Sequence, residues 1–145
     1  SMKTEARLAC TEPFAGGGSW TTMAATMAGH RRMKNVEALL KRVHVNGVKG
    51  SFLEAGVWRG GMSMYAAAVM SVYNMRDRKV YLCDSFQGLP APRANSVRAD
   101  ETYYIDSKVN VSLAVRAESI RATFATYGIP QDNVVTVPGR RQGLP

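Results

Sequence analysis

Cysteine and histidine are scarce in this sequence, and their scarcity excludes several kinds of site. The chain of 145 residues contains two cysteines and two histidines. Cys10 stands in a glycine-rich start and Cys83 in an apolar, strand-like run, so the pair fits neither a disulfide framework nor a metal cluster. His30 and His44 have no acid or cysteine at a useful spacing, and we assign neither a catalytic role.

Long apolar runs and a leader-like start are also missing. No stretch of the sequence has the length and apolar character of a membrane span. The first residues lack the charged, apolar and small-residue order that is typical of a signal peptide. The sequence therefore predicts a protein with a cytoplasmic location and no membrane partner.

Acidic residues are outnumbered by basic residues, 11 against 19, which gives a formal net charge of +8. An excess of basic residues favours acidic partners such as nucleic acids and phosphates. The basic residues are nevertheless spread along the chain, and no run of them alternates with aromatic residues. We therefore expect solvated charge on helix surfaces and no nucleic-acid partner.

The chain is long enough for one globular domain with a core of its own. Its composition is 46% hydrophobic, and a domain of this size buries roughly 70% of the surface of its extended chain. Residues 1–20 include the stretch PFAGGGSW and are predicted to be a flexible N-terminal segment. Residues 21–145 are predicted to form a single domain.

Hydrophobic spacing predicts alternating helices and strands. The predicted helices cover residues 21–46, 61–73 and 113–127, and the predicted strands cover residues 51–55, 79–84 and 133–139. The last five elements make a β-α-β-α-β unit. Because such crossovers are right-handed, its strands are predicted to be parallel, in the order three-two-one. The predicted fold class is α/β, a Rossmann-like unit with a parallel sheet, preceded by N-terminal helices.

Ligand-binding residues are expected where the strands end, because ligands of such sheets lie at the carboxyl ends of the strands. Gly56 permits close approach to the backbone, and Gly61 opens a helix whose first amides attract negative groups. Glu54 disfavours a pyrophosphate and favours a ligand with a cationic or amino end, whereas Asp84 suits ribose hydroxyls. Together these residues favour S-adenosylmethionine over a nicotinamide cofactor.

Three stretches of the sequence are similar to one family of enzymes. FLEAGVWRGG, VYLCDSFQGLP and TMAGHRRMKNVEALL resemble the macrocin O-methyltransferase (TylF-like) family, which is S-adenosylmethionine-dependent and has a Rossmann-like sheet. The resemblance covers residues 21–145. It implies an S-adenosylmethionine-binding domain, and a methyl acceptor that is a hydroxyl of a sugar-bearing or other small natural product. The cofactor-binding residues that it implies are Thr26, Met27, Glu54, Gly56, Gly61, Ser63, Asp84, Ser85 and Phe86.

Two departures from the family pattern concern chemistry. Gly139 is followed by Arg140 and Arg141 where the family has an aromatic pair, so adenine packing by this loop stays unassigned. In the family, paired aspartates after a fourth strand bind Mg²⁺, and no apolar strand followed by D-x-D occurs here. Mg²⁺ is expected in the full-length family, but we identify no metal ligand in this chain. The catalytic base is unknown, and Glu101 is a candidate that also fits a solvated loop acid.

Two interpretations stay open. The chain is the N-terminal half of an O-methyltransferase, completed by further sequence or by a partner, or it is a truncated, non-catalytic module that binds S-adenosylmethionine or serves as a scaffold. With no fourth strand in the sequence, the first strand SFLEA is expected to be an open, apolar edge. Because such edges pair with other chains, we expect a homo-oligomer, specifically a dimer.

Overall fold

The computed structural model describes residues 24–92 and 111–139, which form alternating helices and parallel strands. The elements, in chain order, are α1 (His30–Val45), β1 (Phe52–Ala55), α2 (Gly61–Val72), β2 (Val80–Asp84), α3 (Ala117–Thr126) and β3 (Val134–Pro138). The predicted α/β class is confirmed. Of the predicted N-terminal helices, α1 is described. The predicted flexible segment, residues 1–20, lies outside the described residues, so the division of the chain stays a prediction.

The three strands form one parallel sheet in the order β1-β2-β3, as predicted. Phe52 of β1 pairs with Val80 of β2, and Val80 pairs in turn with Val134 of β3. This register brings the carboxyl ends of all three strands to one edge of the sheet. Helix α2 lies between β1 and β2 in the chain, and α3 lies between β2 and β3.

The hydrophobic core lies between the sheet and the helices. Val80 and Leu82 of β2 are 2% and 0% exposed, and they pack with Ile120 and Phe124 of α3. Helix α2 lies between α1 and the sheet, which explains why its sequence GMSMYAAAVMSV is apolar or small almost throughout. The hydroxyl of Tyr65 on α2 donates a 2.8 Å hydrogen bond to Oε2 of Glu37 on α1 and ties the two helices together.

The opposite face of the sheet is apolar too. Since side chains alternate along a strand, the neighbours of the core-facing residues point away from α2 and α3. On this outer face Leu53 is 61% exposed and Val137 is 40% exposed. Tyr81, Cys83 and Val135 occupy the remaining middle positions of the same face. The continuous apolar run in β2, predicted from the sequence, therefore has one covered face and one open face among the described residues.

Helix α1 begins at His30, later than the predicted start at Thr21. The described residues before it, Ala24 to Gly29, are not helical. Their backbone groups form other hydrogen bonds. The Ala28 N–H donates to Oγ1 of Thr26, and the Ala25 carbonyl accepts from the Gly61 N–H at 2.9 Å. These local and long-range bonds outweigh helix propensity in this segment.

Helix α3 is also shorter than predicted. Residues 111–113 are helical, residues 114–116 leave the helical path, and α3 then starts at Ala117. Arg116, the residue before α3, has an extended backbone with ψ of 144°. Val115 still packs against the core. Of the apolar positions that predicted this helix, Ile120, Phe124 and Val115 lie in or against the core, whereas Leu113 is not part of it. The spacing did not predict the break in the helix.

No helix within residues 24–92 and 111–139 has both the length and the apolar character needed to cross a membrane.

Gly61→Ala should destabilise the protein by about 1–3 kcal/mol, the usual cost of forcing extra atoms into a packed site. A Cβ at Gly61 would lie 2.5 Å from the carbonyl carbon and oxygen of Ala25. The gain in helix propensity, roughly 1 kcal/mol, offsets part of this cost. Gly139→Ala is the control, because a Cβ there would meet no atom within 4 Å. Urea denaturation measures both variants, and equal stabilities would contradict the docking of Ala25 on the turn.

Candidate functional site

The carboxyl ends of the strands bring the predicted ligand-binding segments together. Gly56, just after β1, donates its N–H to the carbonyl of Cys83 at 2.9 Å, and Gly139, just after β3, donates to the carbonyl of Asp84 at 2.9 Å. These bonds continue the strand pairing by one residue into each loop. Glu54, Gly56 and Asp84 therefore lie at one edge of the sheet, as the sequence predicted.

Glu54 is bound to the first turn of α2. The hydroxyl of Ser63 donates a short hydrogen bond to Oε2 of Glu54, and the Ser63 N–H donates to the same carboxylate. Ser63 is completely buried. Gly60, the residue before α2, has no side chain that caps the helix. The Glu54 carboxylate thus takes the place of a capping side chain and stabilises the positive end of the helix dipole.

Burial raises the pKa of the Glu54 carboxyl above its ordinary value, because removal from water disfavours the charged form. The two hydrogen bonds from Ser63 act in the opposite direction, and the nearby charge of Asp84 raises the pKa further. The outcome is a carboxyl group that is protonated more readily in the folded chain than in the unfolded chain.

Asp84 accepts hydrogen bonds from two different loops. Its Oδ2 accepts from the N–H of Val57 at 2.7 Å and from the N–H of Trp58 at 3.4 Å. Its Oδ1 accepts from the N–H of Phe86 at 2.9 Å, and the hydroxyl oxygen of Ser85 lies 3.4 Å from it. One carboxylate thus joins the turn after β1 to the loop after β2.

Trp58 and Phe86 both have a left-handed backbone, with φ of 49° and 56°. For a residue with a Cβ, this conformation costs roughly 1–2 kcal/mol. Trp58 lies in the loop after β1 and Phe86 lies in the loop after β2, and each donates its N–H to Asp84. By accepting these N–H groups, the Asp84 carboxylate offsets part of the backbone strain at Trp58 and at Phe86.

The glycines of the turn have different roles. Gly56 has φ of +85°, and a Cβ there would meet nothing within 4 Å, so open space adjoins its backbone. Gly60 has φ of +80°, and a Cβ there would lie 2.5 Å from Cγ2 of Ile120. Gly60 is therefore required for packing against α3, whereas Gly56 leaves room for a ligand to approach the backbone.

The segment before α1 lies against the start of α2. The Cβ of Thr26 would be 2.8 Å from a Cβ placed at Gly61, and the Ala25 carbonyl accepts the first amide of α2. Met27 is half-buried in the same segment. Thr26 and Met27 are thus near the turn that they were predicted to cover, although contact with a cofactor stays a prediction for both.

Ser85 and Phe86 line a pocket of about 340 Å³ at the carboxyl edge of the sheet. The Ser85 hydroxyl also donates to the Gly88 carbonyl at 3.1 Å, which fixes the loop after β2. A larger pocket, of about 390 Å³, lies at the opposite edge of the sheet, beside the first residues of β2 and β3. None of the predicted cofactor-binding residues lines that larger pocket, so the smaller one is the better candidate for a ligand.

Trp58 and Arg59 make contacts that the sequence did not predict. The Trp58 indole N–H donates to the carbonyl of Ser112 at 2.8 Å, and Arg59 Nη1 donates to the carbonyl of Ala24 at 3.0 Å. The Arg59 guanidinium lies 4.4 Å from the centre of the Trp58 ring. These two side chains connect the turn after β1 to segments distant in sequence, and no local pattern signals such pairing.

Glu101, the candidate for the catalytic base, lies outside the described residues, as do Arg140 and Arg141. Within the ranges that the structure describes, no three His, Cys, Asp or Glu side chains are grouped to hold a metal ion. The described residues therefore do not fit a Mg²⁺ site, and we assign no step of the chemistry to this ion.

Comparison with known proteins points to one family. The sequence model of the macrocin O-methyltransferase (TylF) family matches residues 3–144. The chain is 37% identical over 128 residues to 8-demethyl-8-(2,3-dimethoxy-alpha-L-rhamnosyl)-tetracenomycin-C 4'-O-methyltransferase of Streptomyces olivaceus, covering 88% of this chain and 49% of that protein. It is 33% identical over 130 residues to mycinamicin III 3''-O-methyltransferase of Micromonospora griseorubida, covering 85% and 49%.

A solved structure agrees with these sequence matches. The O-methyltransferase NovP superposes with a TM-score of 0.77 at 32% identity, over 87% of this chain and 52% of NovP. The chain spans about half the length of the curated relatives that it matches.

Replacing Glu54 should change how stability depends on pH. Because the pKa of Glu54 is raised on folding, the wild-type chain gains stability below the unfolded value near 4.5 and loses it as pH rises through the folded value. Relative to Glu54→Gln, the wild-type free energy of unfolding should therefore fall from acidic to neutral pH. Urea denaturation at a series of pH values measures this difference. Asp77→Asn, at an exposed position, controls for net charge, and a difference that rises with pH would contradict the assignment.

Proposed function

This chain belongs to the macrocin O-methyltransferase (TylF) family, and we propose that the protein is an S-adenosylmethionine-dependent O-methyltransferase. Its proposed acceptor is a hydroxyl group of a sugar-bearing or other small natural product. The observation that carries this proposal is the turn after β1, where the backbone of Gly56 adjoins open space beside the carboxylates of Glu54 and Asp84.

The charge at this turn supports the proposed cofactor. Two carboxylates near the start of α2 would repel a pyrophosphate, so a dinucleotide is disfavoured. The first amide of α2 donates to Ala25, and Ser63 donates to Glu54, so two donors that could bind a phosphate are engaged within the chain. S-adenosylmethionine carries a sulfonium and an ammonium group, and both would be attracted by the two acids.

We assign the predicted site residues to two parts of the cofactor. Glu54 and Gly56 would adjoin the methionine portion, while the buried Gly61 and Ser63 would support the turn and Glu54 from within the chain. Thr26 and Met27 would cover this portion from the segment before α1. Asp84, Ser85 and Phe86 would lie on the adenosine side, where Ser85 and Phe86 line a pocket of about 340 Å³. These residues bind and orient a ligand, and the packed segment over the turn limits the access of water to it.

When bound, S-adenosylmethionine supplies an electrophilic methyl group on a positively charged sulfur. The protein must hold the acceptor hydroxyl in line with that methyl group and must provide a base for its proton. None of the residues in the described ranges is assigned as this base, and Glu101 stays a prediction. A requirement for Mg²⁺ also stays a prediction from the family resemblance, as does the cytoplasmic location.

Gly56→Ala tests the proposed cofactor site. The variant strains a backbone with φ of +85° and places a methyl group in the open space beside the turn. Gly128→Ala is a matched control, since Gly128 has φ of +65°, also has no neighbour within 4 Å, and lies after α3. Both variants should lose roughly 1–2 kcal/mol of stability. By calorimetry, only Gly56→Ala should bind S-adenosylmethionine and S-adenosylhomocysteine more weakly.

The wild-type chain should bind both of these ligands more tightly than NAD. Equal binding of NAD, or an equal loss of affinity in the two glycine variants, would overturn the proposed site. Methyl transfer is assayed with the natural protein expressed from its own gene. Mass spectrometry detects the methylated hydroxyl, and methylation confined to nitrogen or carbon acceptors would contradict the proposed reaction.

We also propose that the chain forms a homodimer through β1 and its apolar surroundings. β1 is the end strand of the sheet in the described ranges, and Leu53 on its outer face is 61% exposed. An apolar strand edge of this kind pairs readily with another chain.

Leu53→Lys should shift the chain toward monomer, because a charged side chain opposes burial of the strand edge. Val72→Lys is the control, since Val72 is 80% exposed at the end of α2 and lies away from the strand edge. Light scattering after size-exclusion chromatography over a dilution series measures both. A wild-type chain that stays monomeric throughout, or equal effects of the two variants, would rule out this interface.

A further inference from the structure

The turn after β1 is joined to two segments that are distant from it in the sequence. Arg59 Nη1 donates to the carbonyl of Ala24 at 3.0 Å, and the Trp58 indole N–H donates to the carbonyl of Ser112 at 2.8 Å. The Arg59 guanidinium lies over the Trp58 ring, 4.4 Å from its centre. Because a guanidinium is attracted to the face of an aromatic ring, Trp58 restricts the directions in which Arg59 can donate.

Arg59 and the start of α2 both bind the segment before α1. The Ala25 carbonyl accepts the N–H of Gly61 at 2.9 Å, and a Cβ at Gly61 would lie 2.5 Å from that carbonyl. Two successive carbonyls, those of Ala24 and Ala25, are thus bound by donors from Arg59 and Gly61, which are close neighbours in the sequence. Thr26, which we propose to cover the cofactor together with Met27, follows directly.

Packing is a minor part of what holds this segment in place. A cleft of about 280 Å³ lies between the segment and α3, and it is lined by Ala24 and Arg59 on one side and by Ser119 and Thr123 on the other. Within residues 24–29, Ala25 packs against the hydrophobic core, and its side chain is a single methyl group. The hydrogen bonds to the two carbonyls therefore contribute a large share of the docking.

We propose that Arg59 is a positioning residue, which keeps the segment before α1 over the turn and thereby slows the release of a bound cofactor. This inference rests on the proposed function, because the segment covers S-adenosylmethionine only if that ligand lies at the turn. Arg59 acts through the Ala24 carbonyl and not through a contact with the ligand. Without this hydrogen bond, Thr26 and Met27 leave the turn more often, and a bound ligand is released more often.

Surface plasmon resonance with S-adenosylhomocysteine measures the association and dissociation rate constants that test this role. We expect Arg59→Met to speed dissociation by about tenfold, because a hydrogen bond from a charged donor is lost. Association should not slow, since an open segment does not obstruct entry of the ligand. Arg59→Lys should recover most of the slow dissociation, because lysine keeps a charged donor on a long side chain.

Arg121→Met is the matched control. Arg121 Nη2 donates to the carbonyl of Val134 at 3.0 Å, which is also a bond from an arginine to a backbone carbonyl, and Arg121 lies on α3. Urea denaturation should show a loss of stability in both methionine variants, whereas only Arg59→Met should change the dissociation rate. Equal dissociation rates in these two variants, or in Arg59→Met and Arg59→Lys, would overturn the proposal.

Hydrogen exchange provides a readout that needs no ligand. The Gly61 amide donates to the Ala25 carbonyl, and the Ala28 amide donates to Oγ1 of Thr26. Both amides should exchange about tenfold faster in Arg59→Met, because the segment opens locally more often. Both should keep their wild-type rates in Arg121→Met. Unchanged exchange in Arg59→Met would show that Arg59 does not hold the segment.

The two sets of measurements separate this inference from the proposed function. A wild-type chain that binds neither S-adenosylmethionine nor S-adenosylhomocysteine overturns the proposed function, and the role of Arg59 in release with it. Binding by the wild-type chain with the same dissociation rate in Arg59→Met overturns the role of Arg59 alone. If Arg59→Met folds poorly, Arg59→Gln replaces it in both measurements, with the same expected result and the same contrary outcome.

Discussion

The hydrogen bonds that Asp84 accepts join the loop after β1 to the loop after β2, and the rest of the candidate site depends on these two loops. Parallel pairing brings β1 and β2 side by side, and it ends with the bond from the Gly56 N–H to the Cys83 carbonyl. Beyond that point no backbone-to-backbone hydrogen bonds of the strand pairing join the two loops in the described residues. The carboxylate at the end of β2 joins the two loops instead, by accepting amide N–H groups from both.

Glu54 adds a second internal acid a short distance away, and its surroundings are different. It caps α2 through Ser63 in a buried setting, whereas Asp84 is bound by the amides of two loops. Negative charge is therefore concentrated where many nucleotide-binding sheets present a helix terminus to phosphate. The two acids each stand near the end of a strand, and this placement is the basis for the proposal of a ligand with positively charged groups.

Much of this fold follows from the sequence, for reasons that particular residues illustrate. The alternation of strands and helices predicted the parallel sheet, and the placement of Glu54, Gly56 and Asp84 at one edge follows from the shared direction of its strands. The hydrogen bonds of Trp58 with Ser112 and of Arg59 with Ala24 could not be predicted, because they join distant segments that meet only in the folded chain. The helical prediction for residues before His30 was wrong for Ala24 to Gly29, since propensity says nothing about a partner such as Gly61.

The bond between the Ala25 carbonyl and the Gly61 amide also constrains the order of folding. The acceptor precedes α1, while the donor follows β1, so the bond closes a long loop of chain that contains a complete helix. Loop closure of this length carries an entropic cost that must be met by contacts formed earlier. The packing of α1 on α2 is the available source of those contacts. The segment before α1 is therefore expected to dock on the turn only after α1 has packed on α2, which makes the covering of the turn a late event in folding.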